Sequence, residues 1–345
     1  MDHLQSTDRS PLLEASYVLP IAASTPQLRE LTGYLRRLSR QVDEVIVVDG
    51  SPPEVFQAHA ADWGGHVRHM APQFSTTNGK VAGVLTGVHA ARHDRVVIAD
   101  DDVRFRAAEL GRMLDLLDRH DVVRPQNHFH PLPWHARWDT ARSLYNRLGD
   151  GDWPGTLGVR RNVLIQAGGY SGEVLFENLE MVRTVQAAGG EEALALDLFV
   201  ARRPPEAQHF RSQRVRQAYD EWARPGRLAA QLAILPLAAL LARRKGLAGL
   251  AGAAAVAVLA AEAGRRKAGG AKVFPASSAL WGPAWLAERG VTAWLALGTR
   301  VLKGGVIYRQ GRLKSAASPL ATLRREVPLK QPLRPPLDRS GSGSA

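Results

Sequence analysis

The sequence predicts an α/β protein: a mostly parallel, Rossmann-like sheet domain followed by apolar and amphipathic helices. Three observations predict it. Between Tyr17 and Phe199 short β-branched runs alternate with longer periodic segments, the pattern of βαβ units. Acidic residues stand where two of those runs stop. Charge also divides the chain, with 20 Lys/Arg against 26 Asp/Glu in residues 1–200 and 25 against 7 in residues 201–345.

Element by element, Tyr17-Val-Leu-Pro-Ile21 reads as the first strand. A helix follows over residues 26–40, with Thr25 as N-cap and Pro26 at its first position. Glu44 to Asp49 is a buried second strand, stopped by the turn residues Gly50-Ser51-Pro52-Pro53. A short strand fits His66 to Met70, a helix Asn78 to Arg92, and a strand Arg95 to Ala99. Helices over 106–118 and 135–147 flank a strand at 121–124.

The last third changes character. Leu228–Ala242 is an apolar run broken by Gln231 and Pro236, and Gly246–Gly264 is an Ala/Gly-rich run bracketed by Arg243-Arg244-Lys245 and Arg265-Arg266-Lys267. A spanning helix needs about 20 apolar residues, so the first run is short and the second only weakly apolar. Ala279–Leu302 carries Leu280, Trp285, Trp294, Leu295 and Val301 on one side and Glu288, Arg289, Thr292, Arg300 and Lys303 toward the other. That is the pattern of a helix lying in a membrane interface. The expected division is a tail over 1–16, a sheet domain over 17–226, a membrane-associated helical region over 227–318 and a disordered basic tail over 319–345.

Composition narrows the function. Zero cysteines exclude disulfide scaffolds, zinc ribbons and thiol catalysis. No signal-peptide pattern precedes Tyr17, which places the sheet domain on the cytoplasmic side in expectation. The formal charge of +12 is concentrated beside apolar stretches, without the aromatic motifs of RNA-binding modules. A membrane partner is therefore expected rather than nucleic acid.

Val96-Val-Ile-Ala-Asp100-Asp101-Asp102 carries the strongest chemical signal. An apolar strand delivers carboxylates to its C-terminal end, where open α/β sheets bind ligands. Carboxylates at i and i+2 can converge on one hard divalent ion that holds a diphosphate. Val47-Val-Asp49-Gly50-Ser51 ends a second strand, where an Asp accepts hydrogen bonds from a base or ribose. Asn78-Gly79-Lys80 opens a helix with small residues at Gly83 and Gly87, its Lys placed for phosphate. The glycine spacing of a P-loop is missing.

In this order the three motifs resemble the family-2 glycosyltransferases of the GT-A fold, over Tyr17 to Trp222. The resemblance implies that Asp49 contacts the nucleoside, that Lys80 helps hold the donor, and that Asp100 and Asp102 bind Mg2+ or Mn2+ on the sugar diphosphate. Gly155 and Thr156 match the acceptor-side segment. The family's catalytic Asp aligns with Asn178, which cannot act as a base, so Glu177 or Glu180 substitutes or the chain is catalytically weakened; Glu177 is the favoured residue. Gln213 and Arg216 match a Gln-x-x-Arg-Trp motif in which Gln217 replaces Trp, with Arg216 facing the leaving diphosphate.

Between these, Trp134 and Trp138 in a Pro-rich loop are candidates for sugar or headgroup contact. His128, His130 and His135 lack zinc spacing. The expected activity is inverting, metal-dependent transfer of a sugar from a nucleotide sugar to a lipid or growing glycan at the cell membrane. A non-catalytic nucleotide-sugar-binding membrane protein is the alternative.

Overall fold

The computed structural model describes residues 11–308 and 311–334. Its first half is built by strands whose β-branched runs are buried on both faces, the condition for a parallel sheet covered by helices. In order these are β1 (Leu13–Ile21), α1 (Glu30–Leu38), β2 (Val42–Asp49), α2 (Pro53–Trp63), β3 (Arg68–Met70), α3 (Gly79–Ala90), β4 (Arg95–Ala99), β5 (Val103–Arg104), α4 (Ala107–Leu117), β6 (Val122–Phe129), α5 (Trp134–Leu148), β7 (Thr156–Arg160), α6 (Arg161–Gln166), α7 (Glu177–Ala187) and β8 (Glu192–Arg202). The sheet runs β3-β2-β1-β4-β7-β6-β8-β5. Strands β3, β2, β1 and β4 pair in parallel, and β6 pairs in parallel with β8, while β7 runs antiparallel between β4 and β6.

Two cores sandwich the sheet. Tyr17, Leu19, Val47 and Trp63 pack with α1, α2 and α4 on one face. Val18, Ile46, Val48 and Ile98 pack with α3 and α7 on the other. Helix α3 sits so close to β1 that a Cβ on Gly87 would lie 2.3 Å from Val18 Cγ1. This is the close packing expected from its small residues.

Local departures have local causes. The first helix begins at Glu30 rather than 26, because the Gln27 amide donates to His59 Nε2 (2.8 Å) and Arg29 adopts φ 70°. Strand β1 begins at Leu13, inside the expected N-terminal tail.

Short helices α8 (Ala207–Ser212) and α9 (Arg214–Tyr219) and a 3-10 turn (Asp220–Ala223) lead to α10 (Pro225–Arg266). Gly246 has φ 60° and ψ −152°, which breaks α10 into two arms. Arg227 bonds Asn146 and Asp150 at the end of α5, and the carbonyl of Gly264 accepts from Arg147 Nε (3.2 Å) on the same helix. A straight helix would separate residues 227 and 264 by about 55 Å. The arms therefore fold back on one another, with Arg243-Arg244-Lys245 at the tip. This stretch is long and apolar enough to cross a membrane, and little of it is buried.

Helix α11 (Gly282–Lys303) packs across both arms, with Trp294 Nε1 donating to Leu232 O (3.1 Å). Its buried side mixes Trp285, Ala293 and Ala296 with polar residues, unlike the expected division. Arg289 and Thr292 are buried against the protein, while Val291, Trp294, Leu295 and Val301 are exposed. Such an apolar outer face is what a lipid surface, rather than water, would select.

The segment from 319, expected to be disordered, is folded as far as 334. Helix α12 (Leu320–Glu326) buries Leu323 beside Ala167, and the Ser318 amide donates to the buried Glu180 (2.6 Å). Residues 335–345 lie outside the described residues.

Gly87→Ala should destabilise the fold by about 1–3 kcal/mol through overpacking against Val18. Chemical denaturation of the two proteins checks this.

Candidate active site

The C-terminal ends of β1, β2 and β4 open into a cavity of about 710 Å³, lined by Ile21, Gly50, Lys80, Asp100, Asp101 and Arg216 among others. A second cavity of about 180 Å³ adjoins it, and Lys80, Asp100, Glu177, Arg202 and Arg216 line both.

Lys80 reaches the junction because α3 is pinned at its start. Asn78 caps the helix through the Lys80 amide (3.2 Å), and its own amide donates to Gly172 O (2.9 Å). That fixes α3 against the segment leading into α7. Lys80 Nζ then lies 2.6 Å from Asp100 Oδ1 and 2.7 Å from Glu177 Oε1. Burial alone would lower its pKa, but Asp100 and Glu177 outweigh that and hold it raised, so Lys80 is a fixed cation.

Asp100 and Asp102 share a partner that the sequence did not reveal. Strand β8 pairs with β5 so that Arg202 lies opposite Val103. Its Nε donates to both oxygens of Asp102 (2.9 and 2.8 Å), and its Nη2 lies 3.3 Å from Asp100 Oδ2. Asp101 is exposed at the rim, and crowding by the surrounding wall and by Asp102 and Asp100 pushes it up to about 6. Hard carboxylate oxygens are the donor class for Mg2+ or Mn2+, and the Arg202 guanidinium marks a place where positive charge is already held between two of them. The residues fit a divalent cation there.

Gln213 lines the larger cavity and accepts from Arg216 Nη1 (2.9 Å). Gly155 lines the smaller one, with its carbonyl accepting from the Asp100 amide (2.8 Å) and its amide donating to Asn127 (2.7 Å).

Other expected residues lie elsewhere. Asp49 is buried away from the cavities: its carboxylate accepts from the Ser51 amide (2.9 Å) and meets His59 Nδ1 (2.7 Å) and His69 Nε2 (3.0 Å). Burial would raise its pKa, yet His69, Ser51 and His59 hold it well below the usual carboxylate range. Asp49 organises the turn at Gly50, and its carboxylate lines neither cavity. These three side chains are the group with metal-binding proximity among the described residues. They form a closed hydrogen-bond set, completed by the Gln27 amide on His59.

Thr156 is buried, donating to Ile98 O (2.6 Å). Trp138 is turned into the α5–α11 contact, donating to Glu288 (2.9 Å), and Trp134 packs edge-on to Phe210; neither lines a cavity. Glu180 is wholly buried, which removes it as a base. Asn178 donates to Pro154 O (2.8 Å).

Asp220, at the start of the 3-10 turn after α9, was missed. It lines the smaller cavity, and its carboxylate makes no hydrogen bond or ion pair among the described residues. Burial raises its pKa to about 7, with Arg216 opposing and Glu177 and Glu221 adding to the rise. Only its place just after the Gln213–Arg216 segment hinted at it.

Residues 17–162 match the family model described as Glycosyl transferase family 2. No curated protein matches the chain. Among solved structures it is similar to the mannosyltransferase PcManGT from Pyrobaculum calidifontis in complex with GDP-Man and Mn2+, with TM-score 0.51 and 19% identity over 83% of this chain and 88% of that one. It also matches glucosyl-3-phosphoglycerate synthase from Mycobacterium tuberculosis, with TM-score 0.39 and 18% identity over 57% and 74% of the two chains. S. aureus TarS 1–349 matches with TM-score 0.40 and 16% identity over 55% and 60%. The fold is GT-A, and the family match is confined to residues 17–162.

Because folding raises Asp101 from its ordinary value to about 6, its contribution to stability is fully present below about pH 4 and is lost as pH climbs through 6. Asp101→Asn should therefore raise the unfolding temperature at pH 8 and leave it unchanged at pH 3. Thermal unfolding across that range checks the sign.

Proposed function

We propose that this glycosyltransferase, whose residues 17–162 form a glycosyl transferase family 2 domain, binds a nucleotide sugar in the larger cavity and passes the sugar, with inversion, to an acceptor in the smaller one. The observation that carries this reading is the junction: the two cavities meet at Lys80, Asp100, Glu177, Arg202 and Arg216. A reacting bond placed there is met both by cations, for the leaving diphosphate, and by carboxylates.

In this reading Asp100 and Asp102 hold Mg2+ or Mn2+, which supplies charge neutralisation to the diphosphate. Lys80 and Arg216 bring fixed positive charge to the same group, aimed where negative charge develops as the bond to the sugar breaks. Glu177 was expected to remove the acceptor proton. One of its oxygens is committed to Lys80, and we assign it the task of holding Lys80 at Asp100. Asp220 takes the proton: it faces the acceptor cavity, lacks a partner, and is poised near neutral pH, where a general base works best. The attacking hydroxyl oxygen bonds to the anomeric carbon, its proton passes to Asp220, and the electron pair of the broken bond leaves with the nucleoside diphosphate.

The acceptor is a membrane lipid or a glycan reaching the site from a membrane, and the sheet domain lies at the cytoplasmic face. The exposed apolar side of α11 and the folded-back arms of α10 support this placement.

A thermal-shift screen of UDP-, GDP- and TDP-sugars with Mn2+ should show stabilisation by one donor, since ligand binding stabilises by mass action. With that donor, membranes containing the protein should transfer radiolabelled sugar. Asp102→Ala should cost about 100-fold or more in kcat; unchanged turnover would remove Asp102 from the site.

Asp220→Asn should lower kcat by about 100- to 10,000-fold with donor affinity kept, and abolish the rise of kcat through pH 7. Glu177→Gln should instead weaken donor binding as Lys80 loses its position. The reverse assignment would make Glu177 the base.

A further inference from the structure

Arg289 is 1% exposed on the inner side of α11 and lines the smaller cavity. Its Nε and Nη1 have no hydrogen-bond partner, and it forms no ion pair among the described residues; its guanidinium lies over the Trp285 ring at 5.1 Å. Burial, reinforced by repulsion from Arg214 and only partly offset by Glu288, lowers its pKa to about 10, so it stays charged at neutral pH. A buried cation with no counter-ion costs several kcal/mol, and native proteins keep one where a ligand supplies the missing charge.

Arg224 stands on the same cavity with Nε and Nη1 also lacking hydrogen-bond partners. Its Nη2 donates to Glu221 (2.9 Å). The other cations of this wall are engaged: Arg142 with Asp139 and Asp152, Arg202 with Asp100 and Asp102. The acidic groups are similarly accounted for. Glu177 holds Lys80, and Glu221 pairs with Arg224 and Arg227. Asp220, at about 7, carries its proton about half the time at neutral pH. Of the cations on this wall, Arg289 is the one with neither a hydrogen bond nor an ion pair among the described residues.

We infer that the smaller cavity is a phosphate-binding acceptor site in which Arg289 and Arg224 grip an anionic phosphate that the acceptor carries in addition to its attacking hydroxyl. This rests on the reading of the smaller cavity as the acceptor side. Planar guanidinium forks suit phosphate oxygens, and four guanidinium nitrogens lack hydrogen-bond partners, of which Arg224 Nη1 has Asp150 at 4.0 Å as an ion-pair partner. The opposite face of α11 exposes Val291, Trp294 and Leu295, so a phosphate gripped by Arg289 would sit at the depth of lipid headgroups. A lipid phosphate and a soluble phosphate ester offer the same chemistry to these residues.

Binding of inorganic phosphate to the full chain tests the site without relying on turnover. Titrations run with and without saturating nucleoside diphosphate, which occupies the larger cavity. The wild type should bind phosphate in both conditions, and Arg289→Met and Arg224→Gln should each weaken it about tenfold or more with nucleotide present. Arg289→Met should also raise the unfolding temperature in phosphate-free buffer, because it removes an unpaired buried charge; a merely structural Arg289 would lower it.

Equal phosphate affinity in wild type and Arg289→Met overturns the inference, as does a wild type that binds none. Both results are independent of whether any nucleotide sugar is a donor, so failure of the glycosyl-transfer reading is told apart from failure of this one. Glycerol 3-phosphate and phosphatidic acid vesicles, each against its phosphate-free counterpart (glycerol, diacylglycerol in phosphatidylcholine), identify the source. Arg289-dependent binding to glycerol 3-phosphate alone makes it soluble, and to the vesicles makes it lipid. Arg289-dependent binding to neither overturns a phosphate-bearing acceptor.

Discussion

One ammonium group organises this site. Lys80 lies within 2.7 Å of carboxylates from β4 and from α7, and it is delivered by a third element, α3. Buried charges persist only where their partners come with good geometry, so this contact constrains all three elements together. The cap at Asn78, the amide bond to Gly172 and the close approach of Gly87 to Val18 each bring α3 to the height at which Lys80 can reach both acids. Once it does, the larger and smaller cavities share a wall.

Much of this was legible in the chain. The alternation of β-branched runs with periodic segments marks the sheet domain, and three aspartates after a buried strand mark its reactive edge. Order and spacing of short motifs brought Asp100, Lys80, Gly155, Gln213 and Arg216 to one region, and the structure assembles them around the two cavities. What stayed hidden is long-range. Arg202 reaches Asp102 only because β5 and β8 pair, about a hundred residues apart in sequence. Asp49 reads as a ligand contact until His59 from α2 and His69 from β3 close around it. No local pattern announces either event. Asp220 was passed over because an acid in a basic, helical stretch is ordinary until its neighbours and its burial are known.

The C-terminal helices show the same limit from another side. Periodicity grouped Trp285 with Trp294, Leu295 and Val301, whereas Trp285 is buried under Arg289, and periodicity does not say which side faces the protein. In α11 the polar side is inward, because α5 and α9 offer it partners: Glu288 accepts from Trp138 and Arg214. This arrangement leaves Val291, Trp294, Leu295 and Val301 exposed and, in the same stroke, buries Arg289.

The seam between α5 and α10 has a bearing on how the molecule can be divided. Arg147 is wholly buried, and its guanidinium donates to the carbonyls of Gly264 and Lys267, as well as to Leu196 O. Gly264 packs so tightly on the Leu144 carbonyl that a Cβ there would lie 1.9 Å from the oxygen. A chain shortened to the sheet domain would therefore strand a buried cation without two of its acceptors, and would tend to misfold or aggregate instead of yielding a free-standing catalytic half. The helical region is part of the protein's interior, and any division of the chain has to preserve that seam instead of cutting along it.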